Sequence, residues 1–180
     1  MVSRHKNIKE KAVFLATQAR DNAPHYQHSE IGHNYRLSNI CAGIGRGQME
    51  VLDKHIALRR KMNDWYREFF ADVDGVRVLS EPDSGYFSNH WLSAITIDAE
   101  IVGKTREDLR LALEAENIES RPLWKPMHLQ PVFSESDYYG SDVCEKLFEN
   151  GLCLPSGSNL GFEEIERIKA VFVDFFATKR

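Results

Sequence analysis

Between residues 49 and 70 the apolar side chains are spaced so that a long helix gathers them. Met49, Leu52, Ile56, Tyr66 and Phe70 make one stripe, and Val51, Leu58, Met62, Trp65 and Phe69 make a second beside it. Asp53, Lys54, Arg60, Lys61 and Glu68 lie largely off that face. Behind this stretch, helical and strand-like patterns alternate. Residues 76–79 and 91–97 read as strands. Residues 104–116 read as a helix opened by Thr105, with Asp108 in the capping-box position. Residues 118–121 read as a strand and 141–149 as a helix stopped by Gly151. Residues 152–154 read as a strand and 162–176 as a last helix, with Ile165, Ile168, Phe172 and Phe175 on one face. This order predicts an α/β fold of the α+β kind, a small, mostly antiparallel sheet flanked by helices.

The part before the long helix is different in character. Residues 8–16 form a short amphipathic pattern that begins close to Met1 with nothing before it to pack on, which suggests the later part of something longer. Residues 18–33 read as a polar loop. Gly32-His33-Asn34-Tyr35-Arg36-Leu37-Ser38-Asn39 then delivers a cluster of hydrogen-bonding side chains to a helix start, where Ser38 or Asn39 can cap the exposed N–H groups. Such an entrance suits an anion or phosphate, and equally suits an ordinary capped helix. Gly43, Gly45 and Gly47 follow. Their spacing is not the dinucleotide-binding fingerprint, and their cost in a helix predicts close packing on another backbone. The expected division is residues 1–48 as a helical arm and loop, and residues 49–180 as a small second domain.

Composition narrows the function classes. A net charge of -4 gives no basic footprint for nucleic acid, and no apolar run reaches the length of a membrane span. Cys41, Cys144 and Cys153 make an odd count at no metal-like spacing, which points to a reduced, cytoplasmic protein. Cys153, between two leucines, reads as packed rather than reactive. His25, His28 and His33 match no standard zinc spacing, so no metal is expected.

A second polar stretch lies at residues 120–133. Pro122, Pro126 and Pro131 are expected to prevent regular structure there. Arg121, Trp124, Lys125, Met127 and His128 sit among them. A proline-stiffened loop carrying Arg, Trp and His is suited to gripping a ligand, with Arg forking onto phosphate or carboxylate; it is equally suited to a structural connector plugged by Trp124.

Four ordered segments together resemble the DegT/StrS nucleotide-sugar aminotransferases, which are pyridoxal-phosphate enzymes. These are residues 32–39, Gly43-Ile44-Gly45-Arg46-Gly47-Gln48, Ser120-Arg121-Pro122-Leu123-Trp124-Lys125-Pro126-Met127-His128, and Leu154-Pro155-Ser156-Gly157-Ser158-Asn159-Leu160. The resemblance runs essentially end to end. It is strongest to members that aminate the 4-keto group of a UDP-linked 6-deoxy-N-acetylhexosamine, with glutamate as the expected donor. It implies the C-terminal domain of a fold-type I aminotransferase and an active site at a dimer interface. It also implies that this chain is the second half of the enzyme. The Schiff-base lysine and the acidic partner of the pyridine nitrogen are then expected in the first half, and no lysine here, Lys54, Lys61 and Lys125 included, matches that position.

The resemblance further implies roles for residues here. Asn34 reaches the cofactor phosphate of a neighbouring subunit, and Tyr35 and Arg36 set that loop. His128 lies near the sugar, Arg121 and Trp124 border the nucleotide-sugar pocket, and Tyr26 and His28 face substrate. The expected partners are a nucleotide sugar and either a second copy or the missing half. Two other functions compete: a non-catalytic sugar-nucleotide binding or assembly module, and, ranked last, a small metal enzyme using the three loop histidines.

Overall fold

The computed structural model describes residues 3–177. It divides into two compact units, Met1–Val51 and Leu52–Arg180.

The first unit holds α1 (Lys6–Ala16) and the start of α2 (Asn39–Phe69). Ser38 caps α2: its Oγ accepts the Cys41 N–H at 3.2 Å and its carbonyl accepts the Ala42 N–H at 2.9 Å. The glycine-rich segment and the amphipathic segment are therefore one continuous helix. Gly43, Gly45 and Gly47 have open space where a Cβ would stand, so the close packing their use predicts is not made by any described residue of this chain.

In the second unit a four-stranded sheet forms from β1 (Val76–Val78), β2 (Ser93–Ile97), β3 (Arg121–Pro122) and β4 (Gly151–Leu154). Its order is β1-β2-β4-β3 and every pairing is antiparallel. The α+β architecture expected from the sequence is the one observed. Alternation along the strands turns Ile95, Ile97, Leu152 and Leu154 to one face. There they meet Met62, Tyr66 and Phe70 of the α2 end, Leu109 and Leu113 of α4 (Arg106–Ala115), and Ile168, Phe172 and Phe175 of α6 (Phe162–Ala177). Phe172 is fully buried, with its ring centroid 5.1 Å from Phe70, 5.4 Å from Phe69 and 6.1 Å from Tyr66. Thr105 and Asp108 make the full reciprocal capping box at the start of α4.

The remaining helices are α3 (Ala99–Val102), capped by Asp98 and not foreseen in the sequence, and α5 (Val143–Asn150). Gly151 does end α5, but in extended rather than left-handed backbone, because it is already the first residue of β4. A Cβ there would lie 2.2 Å from both a Leu123 methyl and the Leu147 carbonyl oxygen. The glycine is required by close approach, not by its φ.

Three sequence expectations need correction. The apolar stripes of the long helix are not buried along their whole length: Met49 and Leu52 are exposed, and full burial begins at Met62. The third strand is Arg121–Pro122 rather than 118–121, since Asn117 turns the chain through left-handed backbone and Ile118 is buried on the way back. Pro122 is tolerated because β3 is an edge strand. The prolines of residues 120–133 do not abolish regular structure; single 3-10 turns form at Met127–Leu129 and Pro131–Phe133.

A half-buried cluster of Arg60, Glu81 and His90 braces the loop before β2. The Arg60 guanidinium donates to Glu81 Oε1 at 2.8 Å, the Ser88 N–H donates to the same oxygen at 3.1 Å, and His90 Nε2 lies 3.3 Å from Oε2. Arg60 and the backbone N–H groups hold the Glu81 carboxyl down to about 2. A depressed carboxyl stabilises the fold fully above its unfolded value near 4.5, and that contribution fades as pH falls toward 2. Glu81→Gln is therefore expected to lower stability at neutral pH and to flatten the stability profile across this acid window. Identical acid slopes in denaturant titrations of both proteins would refute the assignment.

Candidate functional site

In the first unit, residues 33–35 run back along the end of α1. The His33 N–H donates to the Leu15 carbonyl and the Tyr35 N–H to the Ala16 carbonyl, each at 3.0 Å, and Thr17 and Asn34 form an antiparallel bridge. Gly32 lets this crossing happen, for a Cβ would sit 2.4 Å from the Ala19 nitrogen. Asn34, Tyr35 and Arg36 consequently stand exposed just before the α2 N-terminus. Asn34 Oδ1 accepts the Arg36 N–H at 3.3 Å, which directs the amide hydrogens of Nδ2 away as donors. The Tyr35 ring stacks on His33 with centroids 5.4 Å apart.

Tyr26 and His28 belong to the same loop. The Arg20 guanidinium lies 4.2 Å from the Tyr26 ring centroid, and His28 Nδ1 is 2.9 Å from the Gln18 carbonyl. His25 contacts Gln27 instead. Among the described residues no group of three or more His, Cys, Asp or Glu side chains is arranged to hold a metal ion.

In the second unit, the sheet face opposite the core opens into a cleft of about 420 Å³. Its walls include Arg121, Trp124, Trp91, Glu119, Ser120 and Ser156. The Trp91 and Trp124 rings lie 6.3 Å apart at 32°, both exposed. Arg121 donates to Glu119 through Nε at 2.8 Å. Cys153 of β4 lies on this floor, packed as expected, and burial pushes its thiol up. Arg121 and Trp124 thus share one cleft. His128 is not among its lining residues; it sits in the following 3-10 turn, where Nε2 meets Glu145 Oε1 at 2.9 Å and the ring lies on Tyr138.

The cleft is held open by residues that sequence reasoning passed over. Arg59 on α2 donates to the carbonyls of Trp91 at 2.5 Å and Ser156 at 3.1 Å, so one guanidinium ties two cleft walls. Tyr66 donates to the Pro155 carbonyl at 2.7 Å, and His55 Nδ1 meets Ser158 Oγ at 2.6 Å. Ser156 Oγ accepts the Ser93 N–H and donates to the Leu154 carbonyl, both at 2.7 Å. The signal was present as polar residues, His55, Arg59 and Asn63, at four-residue intervals inside an apolar helix face.

The fold is one shared with solved aminotransferases. The solved aminotransferase TlmJ from Streptoalloteichus hindustanus superposes with a TM-score of 0.81 at 22% identity, over 97% of this chain and 46% of that one. EpsN of Bacillus subtilis (strain 168), assigned by name to the pyridoxal phosphate-dependent aminotransferases, is 48% identical over 182 residues, 99% of this chain and 46% of EpsN. GDP-perosamine synthase of Escherichia coli O157:H7 is 31% identical over 180 residues, 99% of this chain and 47% of the synthase. Residues 1–173 match the DegT/DnrJ/EryC1/StrS aminotransferase family, and the chain belongs to it. It spans about half the length of the curated relatives it matches.

Proposed function

We propose that this chain is the C-terminal portion of a pyridoxal-phosphate-dependent aminotransferase acting on a nucleotide-linked keto sugar, with glutamate as the amino donor. The observation that carries the reading is that two family-like motifs, separated by about thirty residues of chain, line one cleft: Arg121 to Trp124 on one side and Pro155-Ser156 on the other. Arg121, which donates to Glu119 through Nε and Nη2, would exchange that carboxylate for a diphosphate. The paired tryptophans offer flat faces for a base or sugar ring.

The residues of the first unit fit the phosphate end of the cofactor. Asn34 presents its amide hydrogens outward beside a helix N-terminus, where negative charge is favoured. Tyr35 and Arg36 fix that loop, and Tyr26 and His28 lie in its approach. Pyridoxal phosphate, when bound, supplies the electron sink through which an amino group is exchanged for a keto group. A Schiff-base lysine needs an enclosed pocket, whereas Lys54, Lys61 and Lys125 are all exposed. In this reading that lysine comes from the other half of the enzyme, and the chain alone is inactive. Mixing the isolated chain with pyridoxal phosphate and borohydride is expected to label no single lysine. Stoichiometric label on one residue, Lys125 foremost, would overturn this.

The reading includes association with a second copy or with the other half. Ile40, Ile44 and Met49 on α2 and Ile8 on α1 are exposed, and the α2 glycines leave room for a close neighbour. Sedimentation at high concentration is expected to show a species larger than the monomer; a monodisperse monomer would count against it. Among the described residues no helix is long and apolar enough to cross a membrane. Cys41, Cys144 and Cys153 form no disulfide, which suits the cytoplasmic setting we propose. A non-catalytic sugar-nucleotide binding or assembly module is the alternative. Amino transfer restored by supplying the other half would exclude it.

A further inference from the structure

Among the described residues the walls of the cleft carry two charged side chains, Glu119 and Arg121, and these are paired with each other. Arg121 donates to Glu119 Oε1 through Nε at 2.8 Å and through Nη2 as well. That edge of a guanidinium, with two N–H groups side by side, is also the edge that forks onto phosphate oxygens. The backbone under the pair is fixed at both ends. Asn117 turns the chain through left-handed backbone, and the Ile118 N–H donates to the Leu113 carbonyl at 2.9 Å. Arg121 then stands opposite Cys153 in the β3–β4 pairing, which sets it on the side of the sheet where Cys153 floors the cleft. The side chains themselves are open to water, Arg121 at 79% and Glu119 at 73% exposure.

An ion pair this exposed is weak, worth a factor of about five at most in an equilibrium constant, so a stronger anion displaces it. A diphosphate is such an anion, because it brings more charge and more acceptor oxygens than one carboxylate. We infer that Glu119 is an internal competitor that sets the affinity of the cleft for the diphosphate of a nucleotide. It occupies the Arg121 fork while the cleft is empty and yields it when the nucleotide enters. The displaced carboxylate then stands beside a like charge. Both effects have one sign: Glu119 weakens the hold on any ligand that carries the diphosphate and leaves the hold on the flat ring to Trp91 and Trp124 unchanged. Weaker holding of a group that takes no part in the chemistry speeds its release. This rests on the reading above that the cleft takes a nucleotide sugar.

UDP and uridine, which differ only in the diphosphate, are the probes, titrated into the chain labelled with nitrogen-15 tryptophan. The indole N–H signals of Trp91 and Trp124 report the cleft, and that of Trp65, packed against the core, is the control. In wild type UDP is expected to move both cleft signals and not the control, with uridine bound about tenfold more weakly. Arg121→Gln is expected to erase that difference. Glu119→Gln is expected to bind UDP about two- to fivefold more tightly and uridine as wild type does. In the Arg121→Gln background the same Glu119→Gln change is expected to gain less than about twofold, since nothing is left to compete for. Both side chains are exposed, so the circular dichroism of every variant is expected to match wild type. UDP affinity unchanged or lowered by Glu119→Gln overturns the proposal. So does a gain that uridine shares, or one that persists in full without Arg121. If Arg121→Gln still erases the advantage of UDP in those cases, the nucleotide reading of the cleft survives. If UDP moves neither cleft signal, that reading falls and takes the proposed role of Glu119 with it.

Discussion

Phe172→Ala is expected to cost about 3–5 kcal/mol of unfolding free energy, the largest single loss of any substitution considered for this chain. The ring is fully buried and is shared by four aromatic neighbours, Trp65, Tyr66, Phe69 and Phe70. Truncation removes the transfer free energy of the ring and leaves a cavity that aromatic neighbours, being rigid, fill poorly. Because these partners lie at or just past the α2 end and Phe172 on α6, the loss loosens the contact between two of the three helices that cover the sheet. Phe172→Leu keeps most of the volume and is expected to lose about 1–2 kcal/mol. Denaturant unfolding of the three proteins measures this. A Phe172→Ala loss under about 1 kcal/mol would mean that the aromatic cluster is not the centre of the core.

The second large effect concerns function and needs the full-length enzyme. Asn34→Ala is expected to weaken cofactor retention by about 1–3 kcal/mol, the range for a hydrogen bond to a charged group. In the proposed reading it removes a donor from the phosphate and leaves the lysine chemistry intact. His128→Ala is expected to raise the concentration of sugar substrate required and to leave cofactor affinity nearly unchanged. The separation follows from assigning Asn34 to the phosphate and the proline-rich loop to the sugar. Cofactor titration and steady-state kinetics on both variants decide it. Equal loss of cofactor in both, or no effect in either, would show that the two loops are wrongly assigned.

Arg59 shows why part of the candidate site was hidden in the sequence. Its task, bonding the carbonyls of Trp91 and Ser156, depends on three segments that are far apart along the chain. Its four-residue interval from His55 and Asn63 sets it on one helix face but does not name the carbonyls it bonds, and Arg60 beside it braces Glu81 instead. Glu145 is hidden for the same reason, as an acidic residue on a short helix until the fold brings His128 to it. Arg121 and Trp124 were legible as candidates because prolines, a guanidinium and an indole crowd one short stretch, which suits a ligand loop and a structural connector alike, and the fold sets both residues on one cleft.

The sequence by itself determined what depends on near neighbours. The 3.6-residue spacing of Met62, Trp65, Tyr66 and Phe69 made a helix, the alternation in residues 93–97 made a strand, Ser38 or Asn39 and then Thr105 marked helix starts, and the order of these pieces predicted an antiparallel sheet under helices. Only the tertiary structure decided which parts of those faces are covered. Met49 and Leu52 follow the same helical periodicity as Met62 and Tyr66, yet the first pair is exposed and the second buried. It also decided that β3 would begin at Arg121, that Gly151 would be needed for close approach rather than for a left-handed turn, and that His128 would face Glu145 and Tyr138 while Arg121 and Trp124 lined a cleft without it. Local pattern fixes backbone periodicity because the interacting atoms are a few bonds apart. Burial, strand register and the meeting of side chains from distant segments are set by long-range packing, which no short window of sequence contains.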